Sequence, residues 1–288
     1  MPMTFSPSVP AREIQMGDNS VFSSISVDLA GLGRYASPVL TLDHYRLTGA
    51  PFLPHPHAGF TAIAYVLQDS ETNLRSRDVL GNDVITDAGG LLITEAGSGV
   101  VHEDTTLDLT KEMHGVQFFI NHSQPNKFRK PRIQQVLAAD IPVWTGPEGD
   151  TVRVVLGSFG GLDSPAELAE PANMLDVQLK SSISCPLGEN QNLVVFVTAG
   201  QVDVTVGGEA MRIAHHHSIG VGDGPGDVVI SAVDGPAVVM VVSGAAIDAP
   251  YIRHMNAFFF NSQDEIYNAI ARYEAGEMGK LVPRGELG

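Results

Sequence analysis

His55-Pro56-His57-Ala58-Gly59-Phe60 is answered further along the chain by Gly99-Val100-Val101-His102-Glu103-Asp104. Each stretch offers two metal-ligand side chains at i and i+2, a spacing that places both on one face of a β-strand. If the two segments lie side by side, three imidazoles and one carboxylate point at a common spot. Three nitrogens and one oxygen suit iron, nickel, copper, cobalt or zinc better than magnesium or calcium. The fold that would deliver such a spot is a set of short paired strands, and the rest of the chain reads that way.

Around the two histidine stretches lie compact, largely apolar runs with Gly and Pro at their flanks, which favours strands over helices. These runs cover residues 61–67, 91–94 and 115–121, preceded by short apolar alternation over 21–47 that breaks at Gly31 and Gly33. Residues 74–79 and 83–86 flank Gly81-Asn82, the signal of a hairpin. Residues 123–132 are rich in Pro and charge and read as a connection, and 142–150 as a domain boundary. A second series of strands follows at 152–156, 175–179, 193–198, 202–206, 228–231 and 237–242, with turn signals at 198–201 and 206–209. The pattern predicts a mainly β protein of two tandem barrels, 1–140 with the metal site and 141–288 with a closing helix over about 262–275. Ser262-Gln263-Asp264-Glu265 is a capping box for that helix, Ile266, Ala269, Ile270 and Tyr273 repeat at helical spacing, and Gly276 is a natural stop.

Composition narrows the function classes. A hydrophobic content of 43% with 30 Gly and 18 Pro in 288 residues fits a loop-rich β protein. Thirty-three acidic residues against 17 basic leave a net charge of −16, which disfavours direct nucleic-acid binding. The lone cysteine, Cys185, precedes Pro186 and has no activating neighbour, so an inert thiol is expected. Residues 1–20 lack a basic start followed by an apolar core, so no signal peptide is expected. The longest apolar run, 236–247, is shorter than the roughly 20 residues that span a bilayer. These features predict a cytoplasmic protein with no membrane partner. Leu281-Val282-Pro283-Arg284-Gly285 looks like a thrombin cleavage site and enters no argument about the fold.

The two histidine stretches, together with His114-Gly115-Val116-Gln117-Phe118-Phe119-Ile120-Asn121, resemble the pirins, two-domain proteins of the cupin superfamily. Similarity continues through Pro131-Arg132-Ile133-Gln134, through Val152-Arg153-Val154 and into residues 261–276. The resemblance implies a bicupin with a metal in the N-terminal barrel only, held by His55, His57 and His102. The family's fourth ligand is a glutamate that falls on Asp104 here. Glu103 beside it has the wrong parity for a regular strand, so either Asp104 reaches the metal or a bulge turns Glu103 inward. Pirins also carry glutamate where this chain has Thr61, and favour Glu-Gly at Gln68-Asp69.

The resemblance further implies one divalent transition metal, iron(II) first and nickel, copper, cobalt, manganese or zinc as alternatives. Quercetin 2,3-dioxygenase activity on a flavonol-like substrate would follow, with Asp104 or Glu103 as candidate general base. The rival expectation is a non-catalytic, metal-dependent regulator that docks on a transcription factor or metabolic enzyme. Among the other histidines, His215-His216-His217 reads as surface loop or adventitious metal binding, and His114 as a residue near the N-terminal barrel that could orient a ligand.

Overall fold

The computed structural model describes residues 2–16 and 21–284. Its strands group into two compact units that interleave along the chain. One unit is built on His44–Ala139 with Ile14–Ser24 and everything from Ile247 onward. The other is built on Asp140–Ala246 with Ile25–Asp43 and the N-terminal residues to Glu13.

A sheet built mainly on the first unit runs in the order Arg132–Val136, Leu91–Glu95, Phe60–Val66, Glu112–Asn121 and Val39–Thr48, continuing to Phe22–Ser26 and Arg12–Met16. A second sheet orders His55–His57, Val100–Thr106, Leu74–Asp78 and Asp83–Thr86. The last two strands form the hairpin expected around Gly81-Asn82. The Asp78 carboxylate closes it by accepting from the backbone N–H of Leu80 (2.7 Å) and Asn82 (3.2 Å), the Asx device that makes such turns. Inside, Tyr45, Leu47, Ala64, Val66, Leu74, Leu92 and Met113 form an apolar cluster.

The second unit repeats the architecture. One sheet orders His217–Gly222, Gln191–Ala199, Ala237–Ala245, Ala172–Leu179, Thr151–Leu156 and Val143–Thr145; another orders Ser182–Leu187, Gly226–Ala232, Val202–Val206 and Glu209–Ile213. Alternate residues point inward, so the strand Ser182–Leu187 buries Ile183, Cys185 and Leu187 and exposes the residues between them. The interior is packed with Val, Ile and Leu, including Val152, Val195, Val204, Ile219, Val228 and Ile230, all fully buried. An interior filled in this way is a packed core. Four of its strands, Ser182–Leu187, His217–Gly222, Val143–Thr145 and Glu209–Ile213, are not expected from the sequence. The first breaks its alternation with Cys185-Pro186, and the second is masked by Gly220 and Gly222.

Helix Gln263–Glu274 begins with the expected capping box: Ser262 Oγ accepts from the Glu265 N–H and Glu265 Oε2 accepts from the Ser262 N–H at 3.0 Å. Its place in the molecule differs from the expectation that it closes the 141–288 barrel. Ile266 and Ala269 pack with Ala58, Val101, Phe258, Phe260 and Met278, on the strands that carry the histidines. The reason is local: the chain from Ile247 onward offers apolar Phe258, Phe260 and Ile266, and Ala58 and Val101 are the small apolar residues that receive them. By its contacts the C-terminal segment from Ile247 groups with His44–Ala139, and Asp140–Ala246 groups with the other unit. Gly59 shows how close the approach is. It sits at φ +87°, and a Cβ there would lie 2.0 Å from the Phe259 carbonyl oxygen. Among the described residues, no helix is long and apolar enough to cross a membrane.

Candidate metal centre

Strands His55–His57 and Val100–Thr106 are antiparallel neighbours, with His102 directly opposite His55 and Val100 opposite His57. Cross-strand partners and their diagonal neighbours on one face lie within side-chain reach. That register brings the three histidines together, with one ligand nitrogen from each within 4.8 Å of the others. Ring centroids are 4.7 to 4.8 Å apart in all three pairs.

Strand parity separates the two acidic candidates, Glu103 and Asp104. From His102 to Thr106 the pairing with Leu74–Asp78 is continuous, His102 with Asp78, Glu103 with Arg77, Asp104 with Ser76. No bulge interrupts it, so Asp104 shares the face of His102 and Glu103 takes the other. Asp104 Oδ1 lies 3.4 Å from His102 Nδ1, long for a hydrogen bond but close enough for the charges to couple. It is not one of the atoms that converge within the three-histidine group. Glu103 is buried and ion-paired with Arg77, and accepts from the backbone N–H of Arg284 at 3.0 Å. Its carboxylate is thus satisfied away from the histidines.

Hydrogen bonding prepares the imidazoles for a cation. His55 Nδ1 is 2.9 Å from the Leu53 carbonyl, to which it must donate, leaving Nε2 with its lone pair. Both ring nitrogens of His102, Nδ1 of His57 and Oδ1 of Asp104 are buried and find no hydrogen-bond partner among the described residues. Orphaned polar atoms of this kind are costly unless something satisfies them. A group of soft-to-borderline nitrogen donors left unsatisfied fits a divalent transition metal, and these residues would hold it.

Electrostatics agree with neutral ligands on one strand. Burial, then the neighbouring His102, lowers the His55 pKa to about 4, and burial with both other imidazoles holds His57 well below its usual value. For His102, burial pushes down but the Asp104 carboxylate outweighs it, so the net direction is up. Burial likewise opposes ionisation of Asp104, and His102 with the Ser76 hydroxyl and His55 outweighs it, so Asp104 is held ionised.

Aromatic side chains wall the site. Phe60 and Phe119 stand 5.0 and 5.5 Å from the His57 ring, and Phe259 packs edge-on to Phe60 at 5.0 Å. Tyr45 is buried, and that burial with the Asp104 charge raises its hydroxyl pKa. Thr61, where pirins carry glutamate, is not a bare substitution: its hydroxyl lies 2.7 Å from His122 Nε2, and His122 Nδ1 donates to the Asn126 carbonyl. Sequence reasoning missed Phe259, His122 and Lys127. Lys127 is fully buried, and its ammonium donates to Asn121 Oδ1 (2.7 Å), the Phe259 carbonyl (2.9 Å) and the Gly59 carbonyl (3.1 Å). A lysine in a charged connecting segment carries no sign that it will be buried.

His114 lies in a different group, with His44 and Asp69. His215 and His217 do not share a strand face. His216 between them has φ +57°, and the rings of His215 and His217 are bound to the carbonyls of Thr198 and His215.

Comparison with known proteins carries the assignment further. The pirin family model matches residues 29–120, and the model of the pirin C-terminal cupin domain matches residues 174–279. A pirin-like protein of Arabidopsis thaliana is 31% identical over 255 residues, covering 84% of this chain and 79% of its own. This chain belongs to the pirin family. The two barrels of this pirin are therefore cupin-type domains. Its fold matches a crystal structure described as quercetin 2,3-dioxygenase from Acinetobacter baumannii with a TM-score of 0.83, at 21% identity, covering 98% of this chain and 100% of that one. It also matches a bacterial pirin, YhhW of Escherichia coli, solved in complex with nickel(II), with a TM-score of 0.63 at 16% identity, covering 85% of this chain and all of the other.

Proposed function

We propose that this pirin binds one divalent transition metal, iron(II) first among the candidates, through His55, His57 and His102, and uses it to oxygenate a flavonol-like substrate. The observation that carries this reading is the convergence of three histidines, of which His57 and His102 are buried with unsatisfied nitrogens. The fold match to a protein described as a quercetin 2,3-dioxygenase supports the substrate class, and the nickel complex of YhhW supports a metal. When bound, the metal supplies a Lewis-acidic, redox-active centre with positions not taken by protein.

The chain's own residues do the rest. Phe60, Phe119 and Phe259 provide flat apolar surface near His57 against which an aromatic substrate can pack, and they exclude water. Asp104 takes the fourth ligand position or, from the same place, accepts the proton of a substrate hydroxyl at Oδ1, the oxygen left without a partner. In the metal-free chain this carboxyl is held below the usual carboxylate range, in the ionised form that accepts a proton. Glu103, fastened by Arg77 and Arg284, serves the strand rather than the reaction.

The test is metal analysis of the reconstituted protein paired with quercetin decay under air and carbon monoxide release. One metal per chain and turnover that disappears in His57→Ala is the expected result. Metal binding with no turnover would instead favour the metal-dependent regulator, and absence of stoichiometric metal would end both readings.

A further inference from the structure

Apart from the triad, the described residues contain a second pair of facing imidazoles. His44 lies on strand Val39–Thr48 and His114 on strand Glu112–Asn121, which are neighbours in the seven-stranded sheet. Their Nε2 atoms are 2.6 Å apart, and the ring centroids are 4.7 Å apart at an interplanar angle of 40°. That centroid spacing equals the one between His55 and His102 in the triad.

The other side of His114 is also determined. Its Nδ1 lies 2.7 Å from Asp69 Oδ1. An ionised carboxylate only accepts, so Nδ1 carries the proton and His114 Nε2 turns its lone pair toward His44. Two imidazole nitrogens cannot face each other this closely with lone pairs alone; an electropositive centre must lie between them. In the metal-free chain the proton on His44 Nε2 fills that role.

We propose that His44 and His114, backed by Asp69, form a second site for a borderline divalent cation of the zinc, nickel and copper class. Carboxylate, histidine and cation in line is the arrangement by which proteins orient metal-binding imidazoles. Occupancy requires the proton to leave His44 Nε2, either to His44 Nδ1 or to solvent. A cation about 2.0 to 2.1 Å from each nitrogen needs them about 2.9 to 3.4 Å apart, so the rings must separate by less than about 1 Å. Asp69 is 68% exposed and the His114 side chain 10%, so solvent reaches the pair and water can complete the coordination. With two protein ligands against three, this site fills after the triad. It does not depend on what the triad binds or catalyses.

The experiment is equilibrium dialysis of the full-length, metal-free protein against zinc(II), with metal content measured at each free concentration. Two equivalents are expected, the second weaker. His44→Ala and His114→Gln each remove the second equivalent and keep the first, whereas His57→Ala weakens the first and keeps the second. Asp69→Asn, at an exposed position that poses no threat to folding, weakens the second about tenfold and leaves the first unchanged. A single equivalent in the unaltered chain would overturn the proposal. So would a second equivalent indifferent to Asp69→Asn and to both histidine variants, since that would place the extra cation elsewhere, on residues such as His215–217.

Discussion

Burial at His55 costs its charged form more than its neighbours return, and this has a measurable consequence for the metal-free protein. Above about pH 6.5 neither the folded nor the unfolded chain protonates this residue. Below it the unfolded chain binds a proton that folded His55 refuses until about pH 4. Stability from this residue is therefore present above pH 6.5 and is lost as the pH falls toward 4. Melting temperatures of the metal-free protein at pH 7.5 and 5.0 should differ, and His55→Asn should shrink the difference; an unchanged difference would count against the shift. Cys185 behaves in the opposite sense. Its burial among the second barrel's apolar side chains pushes its thiol up to about 12. It should resist alkylation by iodoacetamide at pH 8 in the folded chain and react in denaturant. Rapid labelling of the native protein would contradict the buried position. The expectation of an inert thiol came from the absence of an activating neighbour; the structure adds burial as the stronger reason.

At the scale of elements, two contacts outside the triad hold the strands that bear it. Lys127 ties Gly59, Asn121 and Phe259 with one ammonium. Replacing it by Met fills the space but leaves buried oxygens without their donor, at a cost of about 2–4 kcal/mol. A fall in unfolding free energy below about 1 kcal/mol would show those oxygens are satisfied otherwise. The second contact is the C-terminal tail. Residues 281–284, the described part of the segment that looks like a protease site, lie against strand Val100–Thr106. Arg284 donates through its side chain to Thr105 Oγ1 and the Thr106 carbonyl, both at 2.8 Å, and Arg77 donates to the Val282 carbonyl at 2.9 Å. A chain ending at Lys280 should lose about 1–2 kcal/mol of stability and release metal faster, because Glu103 and the strand carrying His102 lose their anchor. Unchanged stability and metal dissociation would show that the tail is merely apposed.

At the scale of the molecule, the metal barrel is completed by chain that arrives last. Phe259, the helix Gln263–Glu274 and Met278 all come from beyond Ile247 and cover the strands of His55–His57 and Val100–Thr106. A fragment of residues 1–140 should therefore fail to give a stoichiometric metal site even though it contains every proposed ligand. Tight, one-to-one metal binding by that fragment would mean that the C-terminal cover is dispensable.

What was legible in the sequence follows from periodicity and local chemistry. The i, i+2 spacing at His55/His57 and His102/Asp104 needs only strand geometry to predict a shared face, and the capping box at Ser262 needs only one helical turn. Most strands carried their own apolar pattern and turn signals. What the sequence could not supply is pairing across long separations. Whether His102 stands opposite His55, whether Glu103 finds Arg77 and Arg284, whether Lys127 is buried and whether Phe259 walls the site all depend on which distant surfaces meet. Register sets the first two, because a strand exposes opposite faces at successive residues and one slip would exchange Asp104 for Glu103. Packing of the C-terminal segment sets the others, since only the assembled core decides which apolar side chains find a complementary place. The local repeat thus determined the ligand types and their spacing, and the tertiary structure decided which of them meet and what surrounds them.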